Sequence, residues 1–180
     1  GVSGVGKSTL VARFLAQHAR DAWVCEGRCF EQETVPWKAL DAVVDGLVAI
    51  VARATTEERT ALLPEAAGAL ARMFPSVARV TDQSESGPPD EVRARAVHAL
   101  SELVRNLGKT KPVVVYVDDL QWGDEGGVRL LGELLATHTP LLLVVGSRAE
   151  YRGRSPALRA MDDIARAHTS SVLVELARLD

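Results

Sequence analysis

The sequence predicts an α/β domain, a mostly parallel sheet covered by helices. Three observations carry this. Short apolar runs of strand type alternate along the chain with helical patterns. Two of those runs, residues 113–117 (V-V-V-Y-V) and 141–145 (L-L-L-V-V), are apolar without interruption, the pattern of strands buried on both faces. The chain also opens on a glycine-rich turn, Gly1-Val2-Ser3-Gly4-Val5-Gly6-Lys7-Ser8-Thr9, that runs straight into a helical pattern. With 180 residues there is room for one such domain and too few for two comfortable ones.

The elements follow in order. Leu10, Val11, Phe14 and Leu15 make an apolar stripe at helical spacing, which predicts a helix over residues 7–20. Residues 22–30 read as a strand. Pro36 starts a helix with Trp37, Leu40, Val43, Val44, Leu47, Ile50 and Val51 on one side and Asp41 and Asp45 on the other. Thr55 or Thr56 can cap a further helix that carries Leu62, Leu63 and Leu70. Residues 82–90 (D-Q-S-E-S-G-P-P-D) are polar and turn-rich, a surface connection within one domain. A helix over 90–107 presents Val92, Ala96, Ala99, Leu100, Leu103 and Leu107. The strand 113–117 comes next. Then comes a helix with Leu130, Leu131, Leu134 and Leu135, whose start Gly126 and Gly127 are expected to delay, because each costs about 1 kcal/mol in a helix interior. The strand 141–145, a helix over 155–168 and a last strand over 171–176 complete the reading. No internal repeat is present.

Composition narrows the class. Hydrophobic residues are 47% and charged residues 25%, as in ordinary globular proteins, and the net charge of −3 gives no general affinity for nucleic acid or anionic lipid. No apolar run reaches the ~20 residues of a membrane-spanning helix, and no signal peptide is expected. Cys25 and Cys29 are four residues apart in an extended stretch. That is roughly 13 Å, too far for a disulfide between them, and no second ligand pair offers a zinc site. Two reduced, structural cysteines fit a cytoplasmic location. His18, His98, His138 and His168 lack ligand spacing to one another and are assigned to surface or packing, and Trp23 and Trp37 to core or pocket wall.

The chemistry lies in three places. The opening is G-x-x-x-x-G-K-S, a phosphate-binding loop. Glycines let the backbone curl so that successive N–H groups of residues Gly1, Val2, Ser3, Gly4, Val5 and Gly6 face phosphate oxygens, and the helix behind aims its positive end at the same anion. Lys7 reaches the β- and γ-phosphates, the Ser8 hydroxyl ligates Mg²⁺, and Thr9 belongs to the first helical turn. The motif implies a nucleoside triphosphate and Mg²⁺ as ligands, with the base left open. Residues 113–117 then deliver Asp118 and Asp119 at the carboxyl end of a strand, where open parallel sheets bind ligands. Asp118 is the expected Mg²⁺ holder, directly or through water. Asp119 is the expected partner of the attacking water, an acceptor rather than a strong base. Past the next strand, Gly146-Ser147-Arg148 brings an arginine to the same edge. Arg148 there either senses the γ-phosphate or is an ordinary solvated arginine.

Asp118-Asp119-Leu120-Gln121-Trp122-Gly123-Asp124 resembles the D-D-L-Q-W-A-D signature of signal-transducing STAND-type ATPases, relatives of the AAA+ proteins. Residues 26–41 resemble the strand-and-helix segment behind the first helix in that group, and residues 142–150 resemble its sensor strand and following arginine. Gly123 stands where alanine is commoner. The resemblance implies a P-loop NTPase three-layer sandwich that lacks the strand before the P-loop. Residues 1–180 are then a single ATPase core without the lid and winged-helix regions. The missing strand would lie between 141–145 and 171–176, so the 180-residue piece by itself is expected to be marginally stable. The resemblance also implies an ATP-hydrolysing switch of slow turnover in a multidomain bacterial regulator. Its partners would be the flanking output and sensor domains of the same chain, with room for a homo-oligomer and no direct contact with membrane or nucleic acid. Two alternatives use the same phosphate groups: a nucleotide-gated scaffold with negligible turnover, and a P-loop kinase acting on a small molecule.

Overall fold

The computed structural model describes residues 4–31, 37–136, 140–168 and 170–177. Within them lie the helices α1 (Lys7–His18), α2 (Lys38–Ala52), α3 (Thr56–Leu62), α4 (Ala67–Met73), α5 (Pro89–Gly108), α6 (Glu125–Leu135) and α7 (Pro156–Ala167), and the strands β1 (Trp23–Arg28), β2 (Val113–Asp118) and β3 (Leu141–Val145). The fold is α/β, with a parallel sheet in the order β1-β2-β3. The register pairs Trp23 with Val113 through to Arg28 with Asp118, and Val113 with Leu141 through to Val117 with Val145. All three strands therefore end at one edge.

Successive side chains of a strand face opposite sides, and β2 shows what each side meets. Val113, Val115 and Val117 enter the main core with α2, α5 and α6, whereas Val114 and Tyr116 face Leu15 and Ala22. The helix α2 buries Leu40, Val43, Val44, Leu47, Val48 and Val51, a stripe close to the expected one. At roughly 1.5–3 kcal/mol per buried aliphatic side chain, such stripes supply most of the driving force for folding. The helix α5 buries every residue expected of it and adds Ser101 and Val104.

Several expectations are corrected. The helix expected to carry Leu62, Leu63 and Leu70 is two helices. Pro64 forces the preceding Leu63 into an extended conformation (ψ 138°), so α3 ends there and α4 restarts at Ala67. The expected cap is Thr55, in a reciprocal capping box with Glu58. The glycines do not delay α6. Asp124 caps it by accepting from the Gly127 N–H, and at Gly126 a Cβ would stand 2.7 Å from the Trp37 Nε1, so packing excludes a larger residue. The strand β3 is half-buried rather than buried on both faces, with Leu142 exposed. The stripe of α1 is mostly open, and only Leu15 is buried. Residues 171–176 form no strand: Val172, Leu173 and Val174 are 84%, 66% and 68% exposed. A strand exists by pairing, and no described segment pairs with this one or with the second edge of β3. His138 and Pro36 lie outside the described residues.

One close approach fixes how α2 sits on the sheet. Gly27, buried on β1, faces the Ala39 carbonyl oxygen so tightly that a Cβ there would collide with backbone. Gly27→Ala should therefore push the start of α2 off the sheet and cost about 1–3 kcal/mol, as overpacking does. Urea denaturation measures it; an unchanged midpoint contradicts this packing.

Candidate functional site

The site grows from the common edge of the three strands. Gly4 and Gly6, at φ 80° and 87°, hold left-handed conformations that side chains disfavour, and they turn the chain into α1. The turn puts Lys7 and Ser8 in the first helical turn. Although 110 residues separate them, the Ser8 hydroxyl donates to Asp118 Oδ2 at 3.1 Å. The other oxygen of Asp118 accepts from the Asp119 N–H at 2.9 Å. Of the phosphate-loop residues named from sequence, Gly4 to Thr9 are described, whereas Gly1, Val2 and Ser3 lie outside the described residues.

At Asp119 the strand geometry breaks. Its φ of 53° is left-handed, rare for a residue other than glycine and easiest for aspartate and asparagine. The carboxylate is nearly buried and held on both oxygens. Arg28, the last residue of β1, donates to Oδ2 at 2.8 Å, and Gln121 Nε2 donates to Oδ1 at 2.8 Å. The Arg148 guanidinium stands 3.6 Å from Oδ1. Burial works to raise the Asp119 pKa. The hydrogen bonds from Gln121 and Arg28, and the charges of Arg28 and Arg148, outweigh it and hold the carboxyl below its usual range. Asp119 is thus an ionised acceptor and a poor base.

The loop after β3 closes the site. The Gly146 N–H continues the ladder to the Val117 carbonyl, and the Gly146 carbonyl accepts from Leu120 N–H. A Cβ at Gly146 would strike Asp118 Oδ1. The Tyr116 hydroxyl is buried on the α1 face close to Asp118 and Ser8, but among the described residues no group meets it in good hydrogen-bond geometry; burial, then the nearby Asp118, push its pKa up. A cleft of about 510 Å³ opens alongside, lined among others by Ser8, Gly27, Arg28, Lys38, Tyr116 and Asp118.

These residues fit a magnesium–phosphate group. One hydroxyl and one carboxylate meet at the edge, with a buried hydroxyl beside them and no side chain at Gly146 to crowd them. Mg²⁺ takes such hard oxygens, one or two from protein and the rest from phosphate and water. No cluster of three or more His, Cys, Asp or Glu that could hold a metal by itself occurs among the described residues.

Ser8, Asp118, Asp119 and Arg148, named separately from sequence, therefore converge, with Lys7 in the same helical turn as Ser8. Sequence reasoning gave no role to Arg28, Gln121 or Tyr116. The signal for Arg28 was its place at the end of a strand, on the edge that also receives the carboxylates. Trp37 walls a second cavity of about 170 Å³, with Phe30 and Trp122, and its backbone N–H donates to Asp124 Oδ2 at 2.9 Å. Cys25 and Cys29 are free and buried, their thiols pushed up to about 12 and about 11 chiefly by burial, as expected of structural cysteines.

Residues 1–145 match the AAA ATPase domain family. The chain belongs to that family. No curated protein and no solved structure matches it significantly. Membership makes this AAA ATPase domain a nucleotide-binding module of the P-loop type, one that uses ATP and, as a rule, Mg²⁺. The matched span ends at the last residue of β3, so Arg148 and α7 lie beyond it. No helix among the described residues is long and apolar enough to cross a membrane.

The lowered pKa of Asp119 has a sign that can be tested. Its contribution to stability is complete above the unfolded value of about 3.9 and fades as pH falls through the lower folded value. Asparagine tolerates the same backbone, so Asp119→Asn removes the charge with little strain. The stability difference between parent and variant should stay constant from pH 8 to about pH 5 and shrink only below about pH 4. Denaturation at a series of pH values checks this; shrinkage already between pH 7 and 5 contradicts it.

Proposed function

We propose that this AAA ATPase domain is an ATP-binding and ATP-hydrolysing switch of the STAND type, a single core over residues 1–180 in a multidomain cytoplasmic regulator of signalling or transcription. The observation that carries the reading is the Ser8–Asp118 contact at 3.1 Å with Asp119 fixed beside it. The loop amides of residues 1–9 and Lys7 bind the phosphates, and Ser8 and Asp118 hold Mg²⁺. When bound, that ion supplies positive charge that neutralises the phosphate oxygens. Asp119 accepts a hydrogen bond from the attacking water and aligns it on the γ-phosphorus. As the water oxygen bonds to phosphorus, the bond to the bridging oxygen breaks and that oxygen leaves with ADP, while the water's proton passes to an oxygen of the transferred phosphate. Arg148 offsets charge on the transferred group.

Turnover should be slow. An arginine from a neighbouring domain or subunit is commonly worth 10³–10⁵ in such reactions, as an order of magnitude, and the reading leaves that arginine to a partner. The D-D-L-Q-W-G-D segment supports the STAND assignment and, with it, flanking output and sensor domains as partners. Bound ATP would favour one arrangement of those domains and hydrolysis the other.

Two variants test the reading. Lys7→Ala removes a cation aimed at the phosphates and should weaken ATP-Mg²⁺ binding at least tenfold by calorimetry. Asp119→Asn should keep affinity within about threefold while slowing phosphate release at least tenfold, a loss confined to the transition state. Equal affinity of the Lys7 variant and the parent, or hydrolysis by the Asp119 variant at the parent rate, contradicts the assignment.

A further inference from the structure

The segment after the paired carboxylates holds a buried amide that the proposed chemistry does not use. Gln121 is 5% exposed. Burying an amide is costly unless both ends are satisfied, and here both are. Nε2 donates to Asp119 Oδ1 at 2.8 Å, and Oε1 accepts from the Arg148 N–H at 3.2 Å. These two partners, an obligate acceptor and an obligate donor, fix which way the amide faces. The backbone joins in: the Gln121 carbonyl accepts from Ser155 Oγ at 3.0 Å, and Ser155 caps α7 by accepting from Leu158 N–H. One residue thus ties the Asp119 carboxylate, the loop after β3 and the start of α7 together.

A left-handed residue at a strand end does not take its side-chain direction from the pleat, so Asp119 needs partners to aim it. Arg28 is one, on a side chain that is more than half exposed. Gln121 is the buried one. We propose that Gln121 is a positioning residue for ATP hydrolysis: it aims Asp119 at the water and locks that carboxylate to the backbone of the loop that carries Arg148. The proposal rests on the hydrolytic function proposed above.

Steady-state kinetics of the full-length protein with ATP-Mg²⁺ test it, using Gln121→Glu and Gln121→Met. Glutamate keeps the shape and the acceptor toward Arg148 but replaces the donor toward Asp119 with a second carboxylate oxygen, which repels it. Methionine keeps the bulk and loses both. Each should lower kcat about tenfold and leave KM within about twofold, a split that a merely structural role would not give. Thermal melts identify variants that fold; if methionine fails to fold, the isosteric glutamate decides. A folded variant with kcat within twofold of the parent, or one that raises KM at unchanged kcat, overturns the positioning role and leaves the proposed function standing. A parent protein that releases no phosphate overturns both.

Discussion

Parallel pairing in a fixed register is the constraint on which the rest depends. Because β1, β2 and β3 run the same way, Arg28, the two carboxylates and the Gly146 loop reach one edge without being near one another in sequence. The register makes Arg28 the lateral partner of Asp118, and Val145, just before Gly146, the partner of Val117. The helix α1 brings Ser8 to the same place. A slip of one residue would turn Val113, Val115 and Val117 toward α1 and out of the main core, and would carry Asp118 away from Ser8. The hydrophobic pattern that builds the core therefore also aligns the chemistry.

Charge is divided at that edge. Among the described residues Asp118 accepts from the Ser8 hydroxyl and from its own neighbour's N–H, with the Tyr116 hydroxyl close by. Asp119 is surrounded by cationic and amide donors that keep it ionised although it is nearly buried. Two adjacent carboxylates thus receive different environments, and the proposed metal-holding and water-aligning roles rest on that difference. The left-handed turn at Asp119 makes the division possible, because it swings the second carboxylate off the strand line and toward Arg28 and Gln121.

Much of this was legible in the sequence. The stripes of α2 and α5 and the apolar run of β2 are repeated patterns, and patterns survive tertiary context. Ser8, Asp118 and Asp119 were legible because their chemistry needs those residue types at those places. Other features were decided by partners distant along the chain. The break at Pro64 was local yet hidden by apolar residues on both sides. Gly126 and Gly127 looked like poor helix formers until Trp37 was seen packed against the first of them. Residues 171–176 have the composition of a strand, but composition cannot supply a ladder. Arg28 and Gln121 are ordinary residues by type, and only geometry shows what they hold.

The central claim is that Ser8 and Asp118 form one metal-holding unit across the sheet edge. A double-mutant cycle on the Mg²⁺ dependence of ATP affinity tests it most directly, with Ser8→Ala, Asp118→Asn and the pair measured by calorimetry with and without Mg²⁺. Each single change should remove most of the affinity gained from Mg²⁺, and the double change should do little more than either alone, as coupled neighbours behave. Losses that simply add, or an Mg²⁺ effect that survives Asp118→Asn, would contradict the account.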